Sequence, residues 1–378
     1  MTIDATPPAP GAGFLGAGFM AEVHARAARA NRADLVGVAS SNRASAQSAA
    51  QRIGFARAYD DADELLSDDS VEIVHICTPN TTHAELALAA IDAGKHVICE
   101  KPLATSVRDA EELVARAAAA GVTTTVPFVY RYHPMVREAR ARVARGELGS
   151  LLTIQGGYLQ DWLLSESDDD WRVSSELGGP SRAFADIGSH LCDLLEFVTG
   201  DTISRLSAVT RTVFEERATH RDIDTEDAVA VVVETQSGAI GTLLVSQVAP
   251  GRKNRLTLEI SGRSETLHFD QEHPESLWLG RRSTSEMLQR DDTLLSADAA
   301  RLSILPAGHP LGYQDAFNAF VSDSYAAVRG DRPEGLPTFV DGLRAAQITE
   351  AVLASAHEGS WVDVPVLTAA STPEALVR

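Results

Sequence analysis

Between residues 12 and 147 short apolar runs alternate with alanine-rich helical patterns, and this alternation dictates βαβ units around a parallel sheet. The runs are "AGFLG", "DLVGVAS", "VEIVHICT", "KHVICE" and "VTTTVPF". Helical segments such as "AELALAAIDAG" and "VRDAEELVARAAAAG" lie between them, each closed by a glycine suited to a left-handed C-terminal cap. After Gly149 the texture changes. "SLLTIQGGYLQ", "DAVAVVVETQSGAIGTLLVSQV" and "NRLTLEISGRSETLHF" are rich in β-branched residues and joined by turn signals, the pattern of an antiparallel sheet. The chain is therefore expected to be α/β, with an N-terminal parallel-sheet domain over 1–149, a second α/β domain with a mostly antiparallel sheet over 150–360, and a tail over 361–378. Two late helices are expected near 311–329 and 338–357. The polar stretch 281–300 reads as loop.

Bulk properties narrow the function classes. The 378 residues suit two domains, and 44% hydrophobic with 23% charged residues is a globular composition. With 33 basic against 53 acidic side chains the formal charge is -20, which repels a phosphate backbone, so no nucleic-acid partner is expected. Cys77, Cys99 and Cys192 are scattered in apolar runs without metal or disulfide spacing and read as buried thiols of a reducing compartment. "MTIDATPPAPG" has neither the basic nor the apolar region of an export signal, and no apolar run approaches the roughly 20 residues that span a bilayer. A cytoplasmic protein without membrane contact is the expectation.

Three motifs carry chemistry. "GFLGAGFMAEVHARAARA" supplies Gly16-x-Gly18-x-x-Ala21 after the first strand and at the start of a helix. Glycines there allow a tight turn and the close approach of a pyrophosphate, whose charge meets the helix N-terminus. At the end of the second strand, "GVASSNRAS" has Ser40 where an acidic residue would hold the adenine ribose. Nothing at Ser40 repels a 2′-phosphate and Arg43 is long enough to reach one, so NAD and NADP both remain open, with Arg43 as a solvated helix-start residue the other reading. "GKHVICEKPLA" then puts Glu100, Lys101 and Pro102 past the C-terminal end of a parallel strand, the edge where open α/β sheets bind ligands. Finally, "RAFADIGSHLCDLLEFVTG" reads as a buried helix carrying Asp186 and His190 one turn apart, able to touch one another or a shared ligand.

Taken together, "GAGFMAEVHARA", "TPNTTHAELALAAIDAGKHVICEKPLA" and "FADIGSHLCDLLEFVTG" resemble the Gfo/Idh/MocA family of NAD(P)-dependent sugar and cyclitol oxidoreductases, in order, over about residues 12 to 360. The resemblance implies a Rossmann domain followed by a domain whose sheet forms subunit contacts, hence a homodimer or homotetramer. It implies Lys101, Asp186 and His190 as the catalytic set, and a cofactor site that draws on Gly16, Gly18, Phe19, Met20, Thr78, Pro79, Asn80, His83, Glu100 and Lys101 beside Ser40 and Arg43. Oxidising a secondary alcohol needs a base on the hydroxyl. We assign that role to His190, with Asp186 orienting it or holding a neighbouring hydroxyl and Lys101 stabilising charge on the oxygen; the Lys and His roles can be exchanged. No metal is expected, since no third ligand stands at a convincing spacing. Where the family often reads "FNYR" this chain reads "FVYR", so Val129 removes a polar contact, while Arg131 is retained as a substrate candidate.

"GGYLQDWLL" and "DDDWRV" concentrate Tyr158, Gln160, Asp161, Trp162, Trp171 and Arg172. Aromatic faces suit the C–H faces of a pyranose, and the polar groups suit its hydroxyls; core packing is the competing use of the two tryptophans. "YLQDW" is also similar to a stretch in family members that act on anhydrosugars and glycosides, and "GHPLGYQDAFNAF" places His309 and Tyr313 in a loop that closes on the sugar in similar proteins. The expectation is oxidation of a ring hydroxyl, such as that at C3, of a glucose-like sugar, anhydrosugar or glycoside. Two alternatives use the same residues: a redox-neutral glycosidase or epimerase working through a 3-keto intermediate, and a sensor that binds dinucleotide and sugar without turnover.

Overall fold

The computed structural model describes residues 9–366; the first eight residues and the part of the expected tail from 367 onwards lie outside the described residues. The first sheet holds β1 (Gly11–Leu15), β2 (Asp34–Ala39), β3 (Arg57–Ala58), β4 (Ile73–Ile76), β5 (His96–Cys99) and β6 (Thr124–Thr125), in the order β3-β2-β1-β4-β5-β6. All its pairings are parallel. Helices cover both faces, so β1 and β4 are buried along almost their whole length, which is why they read as continuous apolar runs. The two-residue strand β3 has too little sequence to show a periodicity and was not among the expected strands. Strand order reverses between β1 and β4, and the crevice at that point is where such sheets take ligands. Ser106 caps the helix Val107–Ala120 by accepting from the Asp109 N–H, and Gly121 closes it at φ 66°, as its glycine predicts.

The second sheet has nine strands: β7 (Leu151–Leu159), β8 (Ile203–Arg211), β9 (Ala228–Thr235), β10 (Ile240–Ser246), β11 (Arg255–Gly262), β12 (Thr266–Asp270), β13 (Ser276–Gly280), β14 (Ser285–Gln289) and β15 (Val362–Asp363). Their order is β14-β13-β12-β11-β7-β10-β9-β8-β15, and β7 with β10 is the parallel pair in an otherwise antiparallel sheet. The inner face packs on the helix Ser189–Thr199 through Leu191, Leu194, Leu195, Leu243 and Leu258.

Two expectations change here. The stretch 281–300 is not all loop, because β14 pairs with β13; as an exposed edge strand of sequence SEMLQ it has no apolar alternation to betray it. Residues 362 and 363, placed in a tail, pair with β8. The late helices form as Tyr313–Val328 and Phe339–Glu358. The first packs back on the helix Phe19–Ala30, burying Phe317, Phe320, Val321 and Tyr325 in the core of the first sheet. That core therefore draws on chain that the expected boundary at 149/150 assigns to the second half. Among the described residues no helix is long and apolar enough to cross a membrane.

Candidate active site

The glycine loop leaves β1 at Gly16, which has a φ of 106°; a Cβ there would stand only 2.4 Å from the Cys77 carbonyl oxygen, so no other residue is admitted. Gly18 is different. Its backbone is extended and a Cβ there would meet no protein atom within 4 Å, so the fold itself does not require glycine at the start of the helix Phe19–Ala30. No side chain caps that helix, which leaves its first N–H groups open towards the cleft for an anion such as a pyrophosphate. Ala21, third in the motif, is fully buried against the sheet, whereas Phe19 and Met20 line the cleft.

Ser40 also lines the cleft, its Oγ 3.0 Å from that of Ser45. Arg43 does not: its guanidinium pairs with Asp60 at 2.7 Å and borders a separate surface hollow with Arg57 and Asp68. Of the two readings left open for Arg43, the side chain here adopts that of a solvated helix-start residue. After β4, Thr78, Pro79 and Asn80 form the next part of the wall, and Asn80 Nδ2 donates to the Gly178 carbonyl at 2.9 Å. His83 stands between the Thr78 and Pro102 carbonyls, 2.9 and 2.7 Å from its ring nitrogens, and so ties the segment after β4 to the one after β5.

Lys101 emerges after β5 and meets Asp186, which sits in a π-helical turn (Phe184–Gly188) ahead of the helix Ser189–Thr199. Lys101 Nζ donates to Asp186 Oδ1 at 2.6 Å and to its main-chain oxygen at 3.0 Å; Gln247 Nε2 donates to Oδ2 at 2.8 Å. Burial alone would raise the Asp186 carboxyl, but the Lys101 and Arg172 charges outweigh it and bring it to about 2. His190 is not hydrogen-bonded to this carboxylate. Its Nδ1 is buried without a partner, and Phe128, Tyr130 and Tyr158 surround the ring at 5.6, 5.1 and 6.5 Å between centroids. Burial drives the imidazole down to about 3 and the Lys101 ammonium adds to the effect, so the ring is uncharged in the ordinary pH range.

The facing wall is a hydrogen-bonded ring: Tyr158 donates to Asn254 Oδ1 at 2.8 Å, Asn254 Nδ2 donates to the Tyr130 hydroxyl at 3.1 Å, and Tyr130 meets Tyr158. Gln160 Nε2 joins at Asn254 Oδ1 and Trp162 Nε1 donates to Gln160 Oε1, both at 2.8 Å. Arg172 lies over the Trp171 ring, 4.4 Å from its centroid, and its Nε is 3.9 Å from Asp186 Oδ1. Gly16, Ser40, Thr78, Lys101, His190 and Trp171 border one cleft of 1180 Å³, more than a single drug-sized ligand fills.

Three expected substrate residues are elsewhere. Arg131 is buried in ion pairs with Asp193 and Asp341, and Asp193 sits on the helix of His190, so it braces that helix from behind. Asp161 is taken by Lys253 at 2.7 Å and by the Gly251 N–H at 3.0 Å. His309 is exposed, its carbonyl accepting from Arg290. Val129 is fully buried in the apolar core of the first sheet and faces no polar partner of the cleft. Sequence reasoning missed Tyr130, although it stands inside the FVYR stretch, and Gln247 and Asn254, which share the β10–β11 connection and carry no local motif; Tyr130, Asn254 and Tyr313, the last noted beside His309, line the cleft, and Gln247 reaches the site through Asp186. Among the described residues no group of three or more His, Cys, Asp or Glu is placed to hold a metal ion.

Known families match both halves of the chain. An oxidoreductase family with an NAD-binding Rossmann fold matches residues 11–128, and the GFO/IDH/MocA C-terminal domain matches 136–268. The chain is 30% identical to levoglucosan dehydrogenase of Pseudarthrobacter phenanthrenivorans, covering 94% of this chain and 98% of that one. It is 24% identical to glucose-6-phosphate 3-dehydrogenase of Bacillus subtilis, over 89% and 94% of the two chains. A solved levoglucosan dehydrogenase in complex with NADH and levoglucosan superposes with a TM-score of 0.88 at 29% identity, covering 95% of this chain and 100% of that one.

Proposed function

Because the chain belongs to the GFO/IDH/MocA family of NAD-binding oxidoreductases, we propose that it oxidises a secondary ring hydroxyl, at C3, of a pyranose sugar, anhydrosugar or glycoside. The observation that carries this reading is the meeting of Lys101, Asp186 and His190 with an aromatic and amide wall in the same cleft as the glycine loop. The relatives named for levoglucosan and for the 3-position of glucose 6-phosphate support the substrate class and the carbon.

Gly16, Gly18, Phe19, Met20, Ser40, Thr78, Pro79 and Asn80 hold the dinucleotide in this reading, and bound nicotinamide supplies the hydride acceptor. The protein handles the oxygen and its proton. An ammonium has three donors, and Asp186 uses two of those on Lys101; the third is free for the substrate oxygen, where it stabilises developing negative charge. His190, uncharged and beside this position, accepts the hydroxyl proton as the carbonyl forms. Asp186 holds Lys101 in place in this scheme, rather than orienting His190. Trp171 with Arg172, and Trp162 with Gln160, offer a ring face and hydroxyl partners to the sugar.

Val209, Val232, Ile240 and Leu244 are exposed apolar side chains on the outer face of β8, β9 and β10, and support association of copies through the second sheet. Light scattering on the purified chain tests this, and a monomer at all concentrations removes it.

The activity is tested by absorbance at 340 nm with NAD and NADP in parallel, against glucose, inositols, levoglucosan and glucosides, with His190→Ala as control. Steady reduced-cofactor production that the variant loses is expected. Cofactor binding without turnover of any substrate would overturn the reading in favour of the redox-neutral enzyme or the sensor.

A further inference from the structure

Behind Glu100 runs a line of buried side chains that the proposed chemistry does not use. Glu100 follows β5 and lines the cleft, its Oε2 accepting from the Lys101 N–H at 3.1 Å. Its Oε1 is 2.9 Å from Nε2 of His24, on the helix Phe19–Ala30. His24 Nδ1 is 2.9 Å from Nδ1 of His75, on β4, and His75 Nε2 is 2.9 Å from the hydroxyl of Tyr325. Both histidines are fully buried and Tyr325 nearly so. Phe14 stacks on His75 at 4.5 Å and Phe317 meets His24 at 4.7 Å, so the line is sheathed in apolar rings.

Proton counting gives the line a direction. Two facing Nδ1 atoms need one proton between them. Among the described residues the Tyr325 hydroxyl has no hydrogen-bond partner other than His75 Nε2, so Tyr325 donates there. His75 then carries its proton on Nδ1 and donates to His24. His24 carries its own on Nε2 and donates to Glu100, which must accept as a carboxylate. The opposite direction strands the tyrosine proton in an apolar core and needs an extra proton on Glu100 or His24.

We infer that His24, His75 and Tyr325 are positioning residues, a one-way hydrogen-bond chain that holds Glu100 ionised beside the nicotinamide and so makes the protein bind oxidised dinucleotide in preference to reduced. The two halves of a dinucleotide-binding sheet take one nucleotide each. Glu100 lies in the β4–β6 half, next to the Lys101 and His190 that must reach the reacting carbon, which puts the redox ring on its side. The oxidised ring carries a positive charge that the reduced ring lacks, and a nearby carboxylate favours the former. Glu100 is faced by His24, His83, Lys101, Cys77 and Cys99, and more distantly by Arg172, His190 and Tyr313. Burial pushes its carboxyl up, but the His24 hydrogen bond and the Lys101 charge outweigh that and hold it below its ordinary value. Burial likewise holds His75 well below the usual histidine range.

The inference rests on the dinucleotide site and is independent of the sugar. Nitrogen-15 spectra of the histidines in cofactor-free protein at pH 7.5 should show His24 protonated on Nε2 and His75 on Nδ1. Reversed tautomers, or a doubly protonated His24, would overturn the chain. Dissociation constants for NAD and NADH, by calorimetry and by NADH fluorescence, test the consequence. Glu100→Gln should lower the ratio of the NADH constant to the NAD constant by roughly tenfold, as expected for loss of one charge a few ångströms away. His75→Phe should lower it about threefold by freeing the His24 tautomer, while His75→Asn, whose side-chain N–H stands near the lost Nδ1, should stay within about twofold of wild type. An unchanged ratio in Glu100→Gln, or equal losses in the two His75 variants, would overturn the inference; should His75→Phe fail to fold, the wild-type spectra and Glu100→Gln decide. Failure of either nucleotide to bind the wild-type chain would instead remove the dinucleotide site.

Discussion

Lys101 Nζ reaches both the carboxylate and the main-chain oxygen of Asp186, at 2.6 and 3.0 Å, across 85 residues of sequence. The lysine leaves the end of β5 in the first sheet and the aspartate belongs to the turn before the helix under the second, so this contact joins the two halves where chemistry is proposed. Asp186 is a tether for Lys101, and His190 is left unpaired beside them.

Replacing Lys101 by Met should therefore lower kcat by about 100- to 10 000-fold, the range for a lost oxyanion donor or proton-transfer group. Cofactor affinity should change little. Asp186→Asn should lower kcat less, because the amide oxygen still accepts from Lys101. Initial rates at 340 nm with parallel cofactor titrations check this, and a Lys101→Met enzyme within tenfold of wild type would contradict the assignment.

His190, held down to about 3 by burial and the Lys101 charge, is already unprotonated at neutral pH. The profile of kcat/KM should then show no acid limb near the usual histidine value of about 6.5, and should stay level down to about pH 5. A limb centred near 6.5 would mean that the acceptor titrates as an ordinary imidazole.

Stability should respond to acid in the same window, with a definite sign. His190 and His133 stand at about 3 and about 4 in the folded chain, while the unfolded chain titrates near 6.5. Below about pH 6.5 the unfolded state binds protons that the folded state refuses, so each residue removes about 1.4 kcal/mol per pH unit, or about 2 kcal/mol by pH 5. Nothing is lost above pH 6.5. Asp193, whose carboxyl burial raises to about 7, acts in the opposite sense over this window and offsets part of the histidine loss, while lowered carboxylates such as Asp186 remain ionised and act only at lower pH. Thermal unfolding should show Tm falling from pH 7 to 5 and level from 7 to 8; a Tm independent of pH from 5 to 7 would refute it.

Asp227 is completely buried and accepts from Arg182 at 2.6 Å and Arg217 at 2.7 Å, both also buried. Arg217 in turn donates to the Ser165 and Asp168 carbonyls at 2.9 Å, fixing the loop that carries Trp171 and Arg172. Asp227→Asn leaves two guanidinium groups without their carboxylate and should cost about 3–5 kcal/mol. Urea unfolding measures the loss, and a change below about 1 kcal/mol would show that the arginines find other partners.

Most of the architecture was legible because its signals are local. Glycine caps, the spacing of apolar runs and the Gly16-x-Gly18-x-x-Ala21 turn act within a few residues, and each reports the element it belongs to. Strand β14 escaped because an exposed edge strand needs no apolar face, and β3 because two residues display no period. Lys101, Asp186 and His190 were visible as polar residues set among apolar ones, since a buried polar group stands out from its background in sequence as it does in a core.

What the sequence determined alone was the order of elements, the place of the glycine turn after β1 and the identity of the polar residues proposed for the chemistry. Which of these touch was decided only in three dimensions. Arg131, Asp161 and His309 have the right chemistry for a sugar, but Asp193, Lys253 and an exposed loop draw them away from the cleft. Tyr130 and Asn254 meet across 124 residues of chain, and Gln247 reaches Asp186 from the same β10–β11 connection as Asn254. The His24–His75 contact likewise exists only because one helix packs across the sheet over β4. Secondary structure follows from interactions within a turn of helix or between residues that alternate along a strand. Side-chain partnership is set by packing and by the need of every buried charge and N–H to find an acceptor, and that is a property of the whole fold.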